Sequence, residues 1–450
     1  MKHPFVSSAN FFFLCMTRFL YTLLLAILPL VGVLQTSAQS RNYTAQQSSD
    51  TYSKAIRERL DNLLASELFQ RSQVSVYVYD LTDDKPVYQN GYQQVMRPAS
   101  TMKILTGVLA LDRLGTDYKL TTGLYVTAPI ADTLRGNVVV KGGFDPLFSV
   151  DDLRALVSAL RRNGIIYIAG DVHFDLSFKS DDPYGWGWCW DDNDTPLTPL
   201  YLQGKDTFES AFEAMLLESG IGVSGQFRAA QLPSSAQLLA TRSHSIDQVL
   251  IPMMKKSDNH FAESLYYQIA ALSRKPFASR KEAEVEFQSF VSRLGLNPNH
   301  YQFADGSGLS LYNYITPELL VQTLRYAYYN QEIYTHLLPA LPVMGRDGTL
   351  HKRGRNTTAQ DKVQAKTGTL EGVSSLAGYA LAANGHQLCF AIINQGLLKA
   401  STARQFQDRV CRALTAGLSR PRESEPDAPA NPATNDEPLE GENEEVEIGD

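Results

Sequence analysis

Apolar positions along this chain change period several times, and each change predicts an element. Ala55, Leu60, Leu63, Leu64 and Leu68 recur at helical spacing, which predicts a helix over 53–68. Val74-Ser75-Val76-Tyr77-Val78-Tyr79-Asp80-Leu81 is rich in β-branched and aromatic residues; Asp83-Asp84 marks a turn, and Pro86 to Tyr92 completes a hairpin. After Arg97-Pro98-Ala99, the positions Ile104, Leu105, Val108, Leu109 and Leu111 fit a buried helix starting near Ser100. Toward the other end, Val363 to Leu370, Val373 to Leu381 and Gln387 to Asn394 read as three strands. Glu371-Gly372 and Asn384-Gly385 supply the turns between them, and a helix over 402–418 follows. Two strands, a long mostly helical excursion, three antiparallel strands and a last helix imply one sheet assembled from both ends of the chain.

The middle has a different texture. Residues 120–240 hold Gly142-Gly143-Phe144-Asp145-Pro146, a helix-like Val150 to Arg162, a strand-like Ile165 to Phe174, and all three Trp (186, 188 and 190). They are expected to form a small inserted accessory unit within a body made of 39–119 and 241–420. No repeat of 20–50 residues is visible. Residues 421–450 carry five Pro and a local charge of −10, with Leu439, Val446 and Ile448 as the only large aliphatics, so a disordered acidic tail is expected.

At the N-terminus Arg18 precedes a 16-residue apolar run, Phe19 to Leu34, interrupted by Pro29 and Gly32 and followed by Thr36-Ser37-Ala38. This predicts a cleavable signal peptide over 1–38. An uncleaved anchor is the competing reading, but the run falls short of the roughly 20 residues a membrane span needs. Met16 is an alternative start. The mature chain is then extracytoplasmic or periplasmic; peripheral membrane contact is compatible with the sequence, which does not set the oligomeric state.

Net charge sharpens this picture. The whole chain carries −7, but removing the tail leaves +3, and removing Lys2 and Arg18 leaves +1 for residues 39–420. A near-neutral body lacks the basic footprint of a nucleic-acid binder. Cys189, Cys389 and Cys411 are too few for a disulfide scaffold; a Cys389–Cys411 bridge stands as the alternative to two buried free thiols. The eight histidines form no His-Glu-x-x-His, and no Cys-x-x-Cys occurs, so neither a metal nor another cofactor is expected.

Three short motifs carry candidate chemistry. Ser100 is followed by Lys103, which on a helix lies one turn away on the same face. A lysine kept neutral by burial and neighbouring cations can take a serine proton, and a helix N-terminus favours the charge that develops on acylation. Alone the pair is weak, since average composition gives roughly one or two such matches in a chain this long. Ser257-Asp258-Asn259 offers a hydroxyl and an amide at the start of a helix-like stretch from Phe261, where a plain helix cap is the competing explanation. Lys366-Thr367-Gly368-Thr369 places a cation and hydroxyls on a strand beside a glycine. That suits an extended carboxylate-bearing ligand, against the alternative of an edge-strand lysine that discourages aggregation.

Together and in this order, the motifs are the set shared by penicillin-binding proteins and class A β-lactamases. Asp305-Gly306-Ser307-Gly308-Leu309-Ser310, Gly345-Arg346-Asp347-Gly348-Thr349-Leu350 and the Gly-Gly-Phe-Asp-Pro stretch resemble the D-alanyl-D-alanine carboxypeptidase/endopeptidase family of the penicillin-binding protein 4 type (serine peptidase family S13). The resemblance runs from about Tyr52 to Leu418. It implies an α/β (α+β) fold of the β-lactamase/transpeptidase type, with a five-stranded antiparallel sheet and helices on both faces. It also implies a DD-peptidase acting on peptidoglycan stem peptides or cross-links, with β-lactam antibiotics as covalent inhibitors. Ser100 would be the acylated nucleophile, Lys103 its base, and Ser257, linked to Lys366, the relay to the departing D-alanine. Asn259 would hold the substrate amide, Thr367 and Lys366 the terminal carboxylate, and the N–H groups of Ser100 and Thr369 the oxyanion, beside Gly368. Asp145 would read the diamino-acid side chain of the substrate, with a structural turn aspartate as the alternative. The segment between the first two motifs is shorter than in larger members, and Leu311 stands where the family usually has Arg. A β-lactamase is the nearest rival, though no motif marks a dedicated deacylating glutamate; a non-catalytic penicillin sensor is the other.

Overall fold

A computed structural model describes residues 49–66, 71–189, 192, 195–204 and 206–418. The predicted signal peptide and acidic tail, with Leu68 and Trp190, lie outside the described residues.

The chain opens with helix α1 over 49–64, then the hairpin β1 (Gln73–Asp80) and β2 (Lys85–Asn90). A single 3-10 turn, Ala99–Thr101, leads directly into α2 (Met102–Leu114). Next come β3 (Lys119–Val126), β4 (Thr133–Leu134), β5 (Val138–Lys141), α3 (Val150–Arg162), β6 (Tyr167–Ile168) and β7 (Val172–Asp175). They are followed by α4 (Phe208–Glu218), β8 (Gly222–Val223), β9 (Phe227–Ala229) and β10 (Gln237–Ser245). Helices α5 (Ile246–Lys255), α6 (Asn259–Ala270), α7 (Arg280–Arg293), α8 (Pro317–Tyr329) and α9 (Gln331–Ala340) come next. The chain then closes with β11 (Val363–Leu370), β12 (Val373–Leu381), β13 (Gln387–Gln395) and α10 (Ala400–Thr415).

The main sheet has the order β11-β12-β13-β1-β2 and is antiparallel throughout. The two ends of the chain meet at β1 and β13, where Val76 lies opposite Ile392. Period-two alternation explains the layers. Val74, Val76 and Val78 of β1 join Leu388, Phe390 and Ile392 of β13 on one face, covered by Ile56 and Leu60 of α1 and Phe406, Val410 and Leu414 of α10. Tyr77, Tyr79, Ala391 and Ile393 point the other way, into a larger core with α2, α5, α6, α8 and α9. Burial on both faces is why these strands read as nearly continuous apolar runs. The same alternation excludes the disulfide: Cys389 faces the larger core and Cys411 the smaller, so the sheet separates two buried free thiols.

Residues between Lys119 and Ser245 build sheets of their own. One has the order β10-β3-β5-β7-β9, and a small parallel one the order β4-β6-β8. They enclose a third core around Val140, Leu156, Phe174 and Phe212. The single strand expected over 165–174 is two, β6 and β7, in different sheets. A Cβ on Gly170 would meet the Gly136 carbonyl oxygen at 2.4 Å, so the chain crosses a neighbour there and cannot continue as one strand. Ser245 ends β10 and opens α5 as a capping box with Gln248.

Helix α6 meets the loop from β5. Ser264 Oγ donates to the Phe144 carbonyl and Gln268 Nε2 to that of Gly143, at 2.5 and 2.6 Å. His260 is caught there between Phe144 and Tyr201, ring centroids 5.4 and 4.3 Å away, with both nitrogens buried and without hydrogen-bond partners. Burial pushes its pKa down to about 4.

Two outcomes follow. Burial pushes the Cys411 thiol up to about 12 and raises Cys389 too, so in native protein a water-soluble thiol reagent should modify exposed Cys189 but neither of these until denaturant is added. As for His260, the unfolded chain takes up its proton below about 6.5, whereas the folded one resists until about 4; acid therefore favours unfolding across that window. Denaturant titrations at pH 7 and pH 4 should show His260→Phe losing less stability than wild type, by on the order of 3 kcal/mol; equal losses would refute the assignment.

Candidate active site

The turn carrying Ser100 is bent by its own backbone. Ala99 has φ +47°, an unusual value for a non-glycine residue, and the 3-10 turn it begins lifts Ser100 to a partly exposed position ahead of α2. Two glycines let the surroundings close on this turn. A Cβ on Gly368 of β11 would meet Ser375 Oγ at 2.2 Å, Ser100 N at 2.9 Å and the Pro98 oxygen at 3.0 Å. On the other side, a Cβ on Gly308 would lie 2.0 Å from the Ala99 oxygen. Here glycine first serves approach by the protein's own chain.

Lys103, inside the first turn of α2, is fully buried. Its Nζ lies 3.0 Å from Ser100 Oγ, 2.7 Å from Asn259 Oδ1 and 3.0 Å from the Ser307 carbonyl oxygen. Lys366 of β11 is likewise 0% exposed, so it is no solvated edge-strand gatekeeper; it donates to Ser257 Oγ and to the Thr367 carbonyl oxygen, each at 2.8 Å. Burial first, then the positive charge of Lys103, holds the Lys366 amine well below its ordinary pKa. Ser257, Asn259 and Thr367 are partly exposed and Thr369 is exposed, so hydroxyls and an amide face outward over two buried amines.

In the Ser-Asp-Asn triplet the cap reading holds for Asp258, while the hydroxyl and the amide contact the two buried lysines. Asp258 caps α6, accepting the Phe261 N–H at 3.2 Å, which leaves Ser257 (φ +63°) and Asn259 to reach Lys366 and Lys103. Strand β11 is the last strand of its sheet and pairs on one side with β12; on its other side Pro342 and Met344 bond Ala365 and Val363, and the Ser100 turn lies beside Gly368.

Asp145 lies apart from this cluster in its bonding. It is 1% exposed, accepts the Leu147 N–H at 3.0 Å and pairs with His244 Nδ1 at 2.7 Å. Its carboxylate therefore serves its own turn and β10.

Several groups at the site were given no role from sequence. Ser307, within the Asp305–Ser310 stretch, contributes a main-chain oxygen. Thr349 Oγ1 lies 2.7 Å from Thr367 Oγ1, and Lys255 pins the Thr349 loop by pairing with Asp347 at 2.7 Å. Glu263, one turn beyond Asn259 on α6, accepts the Gly306 and Ser307 N–H groups; burial, then the charge of Asp305, pushes its carboxyl up to about 8. At Leu311, a guanidinium does reach the loop, but from Arg97, whose Nε donates to the Leu311 oxygen at 3.0 Å. Elsewhere, ligand atoms of Asp80, Asp83 and His386 come within 4.8 Å of one another, but His386 is paired with Asp80 and Asp83 with Lys85, so they act as a latch between two turns.

Known proteins match this arrangement over most of its length. The D-Ala-D-Ala carboxypeptidase 3 (S13) family is matched over residues 56–201 and 201–416. The D-alanyl-D-alanine carboxypeptidase DacB of Haemophilus influenzae is 26% identical over 419 residues, covering 73% of this chain and 87% of the relative. The crystal structure of penicillin binding protein 4 from the same organism superposes with a TM-score of 0.70 at 25% identity, covering 78% of this chain and 97% of that one. A second structure of that protein, complexed with a β-lactam, gives a TM-score of 0.64 at 25% identity over 76% and 95% of the two chains. With its five-stranded sheet, its flanking helices and this extent of match, the chain belongs to the D-Ala-D-Ala carboxypeptidase 3 (S13) family.

Proposed function

We propose that the protein hydrolyses the D-Ala-D-Ala bond of peptidoglycan stem peptides, and the related cross-link, through an acyl-enzyme on Ser100. The observation that carries this is the hydrogen bonding of Lys103. Once Lys103 has given up its charge, its amine has two N–H donors and one lone pair. Asn259 Oδ1 and the Ser307 carbonyl oxygen can only accept, so they take both N–H groups and leave the lone pair for the Ser100 hydroxyl, 3.0 Å away. Ser100 Oγ then attacks the carbonyl carbon of the scissile peptide as its proton passes to Lys103 Nζ. The oxyanion forms beside Ser100 N, with the Thr369 N–H as its second donor. Ser257, bonded to Lys366, relays the proton taken up by Lys103 to the departing D-alanine amine as the C–N bond breaks. Water, losing a proton to Lys103, then attacks the ester, and Ser100 Oγ leaves with that proton.

Substrate would enter as an added strand along β11 beside the Ser100 turn, its terminal carboxylate at Thr367 and Lys366 and its amide at Asn259. Asp145 would reach a substrate amine only once its pair with His244 opens. Residues 120–240 are read as an accessory unit on a peptidase body of 39–119 and 241–420. The predicted signal peptide places the enzyme outside the cytoplasm, where its substrate lies; among the described residues no helix is long and apolar enough to cross a membrane.

Purified protein should be labelled stably by a fluorescent penicillin and should release D-alanine from a pentapeptide ending in D-Ala-D-Ala. Ser100→Ala should abolish both, a loss of at least about 10³-fold in turnover. Label lost within seconds would mark a β-lactamase, stable label without D-alanine release a sensor, and label persisting on Ser100→Ala a different nucleophile.

A further inference from the structure

Two buried carboxyls beside the site, Glu263 and Asp305, have no part in the chemistry above. Glu263 is 1% exposed on α6, on the face that carries Asn259. It accepts the Gly306 N–H at 3.0 Å and the Ser307 N–H at 2.8 Å. The peptide unit between Gly306 and Ser307 is held at its other end too, where the Gly306 oxygen accepts from Thr106 Oγ1 of α2 at 2.7 Å. The following unit repeats the pattern: its Ser307 oxygen accepts from Lys103, and its Gly308 N–H donates to Asp305 Oδ1 at 2.7 Å. Two successive peptide planes are thus each gripped by a buried carboxyl at the amide end and by α2 at the carbonyl end. The two α2 contacts, Lys103 and Thr106, lie three residues apart on one helix face.

Asp305 is heavily committed, taking also the Ser310 N–H, Asn313 Nδ2 and Trp188 Nε1. Those bonds shape the loop from inside. Glu263 is the carboxyl that ties the loop to a different helix, and that helix also supplies the second oxygen on Lys103. Of the two carbonyl oxygens on the amine, α6 supplies Asn259 Oδ1 directly and reaches the Ser307 oxygen through the neighbouring peptide plane that Glu263 holds.

We propose that Glu263 is a positioning residue for Lys103: it fixes the Gly306–Ser307 peptide plane, next to the Ser307–Gly308 plane whose oxygen meets the amine, and through Ser307 helps aim the Lys103 lone pair at Ser100. This rests on the reading of Lys103 as the base. With Glu263 shortened or removed, the Gly306–Ser307 plane loses its hold at the amide end, Ser307 is free to turn, its oxygen shifts away from the amine, and the lone pair turns from the hydroxyl. A misplacement of about 1 Å costs up to about 10²-fold in rate, while the carboxylate and amide contacts that bind substrate lie elsewhere and stay intact.

The test compares wild type with Glu263→Ala, Glu263→Asp and Glu263→Gln. It reads the acylation rate by fluorescent penicillin and, separately, kcat and KM for D-alanine release. Glu263→Ala and Glu263→Asp should acylate about 10- to 100-fold more slowly and lose kcat in proportion, with KM within about twofold. Glu263→Gln keeps an oxygen for the two N–H groups and should recover most of the rate, which a purely stabilising role of the carboxyl would not separate from KM. If the alanine variant fails to fold, aspartate against glutamine decides. Acylation by the aspartate or alanine variant within about threefold of wild type, or glutamine as slow as aspartate, overturns the proposal. Wild type that is never labelled overturns the base assignment itself, whereas labelled wild type with unaffected variants overturns the positioning role alone.

Discussion

Two lysine amines buried within electrostatic reach of each other set the terms for the rest of the site. Lys103 and Lys366 are both fully buried, and the charge of the first lowers the basicity of the second. Two ammonium groups so placed would each cost several kcal/mol in lost hydration, with mutual repulsion added. The arrangement is tolerable because each amine sits among oxygens that accept hydrogen bonds, and because at least one can shed its proton. The burial that makes a charged lysine expensive is also the main cause that lowers the basicity of Lys366.

Keeping the amines buried while their hydroxyl partners reach solvent requires close main-chain packing from three directions. Strand β11 comes within reach of Ser100 because residue 368 has no side chain; the 305–310 loop seats against Ala99 because residue 308 has none. Helix α6 arrives from the third side, with Asp258 capping it and Ser257 and Asn259 reaching Lys366 and Lys103. The sheet built from both chain ends makes this possible. Pairing of β1 with β13 brings the Ser100 turn, 20 residues beyond Asp80, alongside a strand nearly 270 positions later.

Much of this was legible from periodicity. Strands Val363–Leu370 and Val373–Leu381 and helix Val150–Arg162 have the bounds expected from their apolar patterns, because each is flanked by turn residues or a cap. The order of three short motifs identified the family, which its match over most of the chain bears out. Other features left no local trace. The break between β6 and β7 depends on what Gly170 crosses in space, and a lone glycine in an apolar run looks the same whether or not something crosses it. Asp145 reads as a candidate ligand-binding carboxylate, and its pair with His244, 99 residues away, leaves no local trace. Ser307 acts through a carbonyl that every residue possesses, and Glu263 resembles any helix glutamate until its burial is known.

The tryptophan-rich segment shows how the inserted residues bear on the chemistry without contributing a reacting group. Trp188 donates its indole N–H to Asp305 at 2.9 Å, Ser310 Oγ donates to the Trp186 oxygen at 2.7 Å, and Arg280 stacks on the Trp186 ring at 4.4 Å. Gly187, at φ +81°, allows that fit, since a Cβ there would meet Tyr312 Cδ2 at 2.3 Å. These contacts land on the loop whose Ser307 oxygen faces Lys103. A segment that only covered the loop would need apolar contact alone; directional bonds at Asp305 and Ser310 instead fix its conformation from the side opposite α2. The loop is thereby held between α2, α6 and the tryptophan-rich segment.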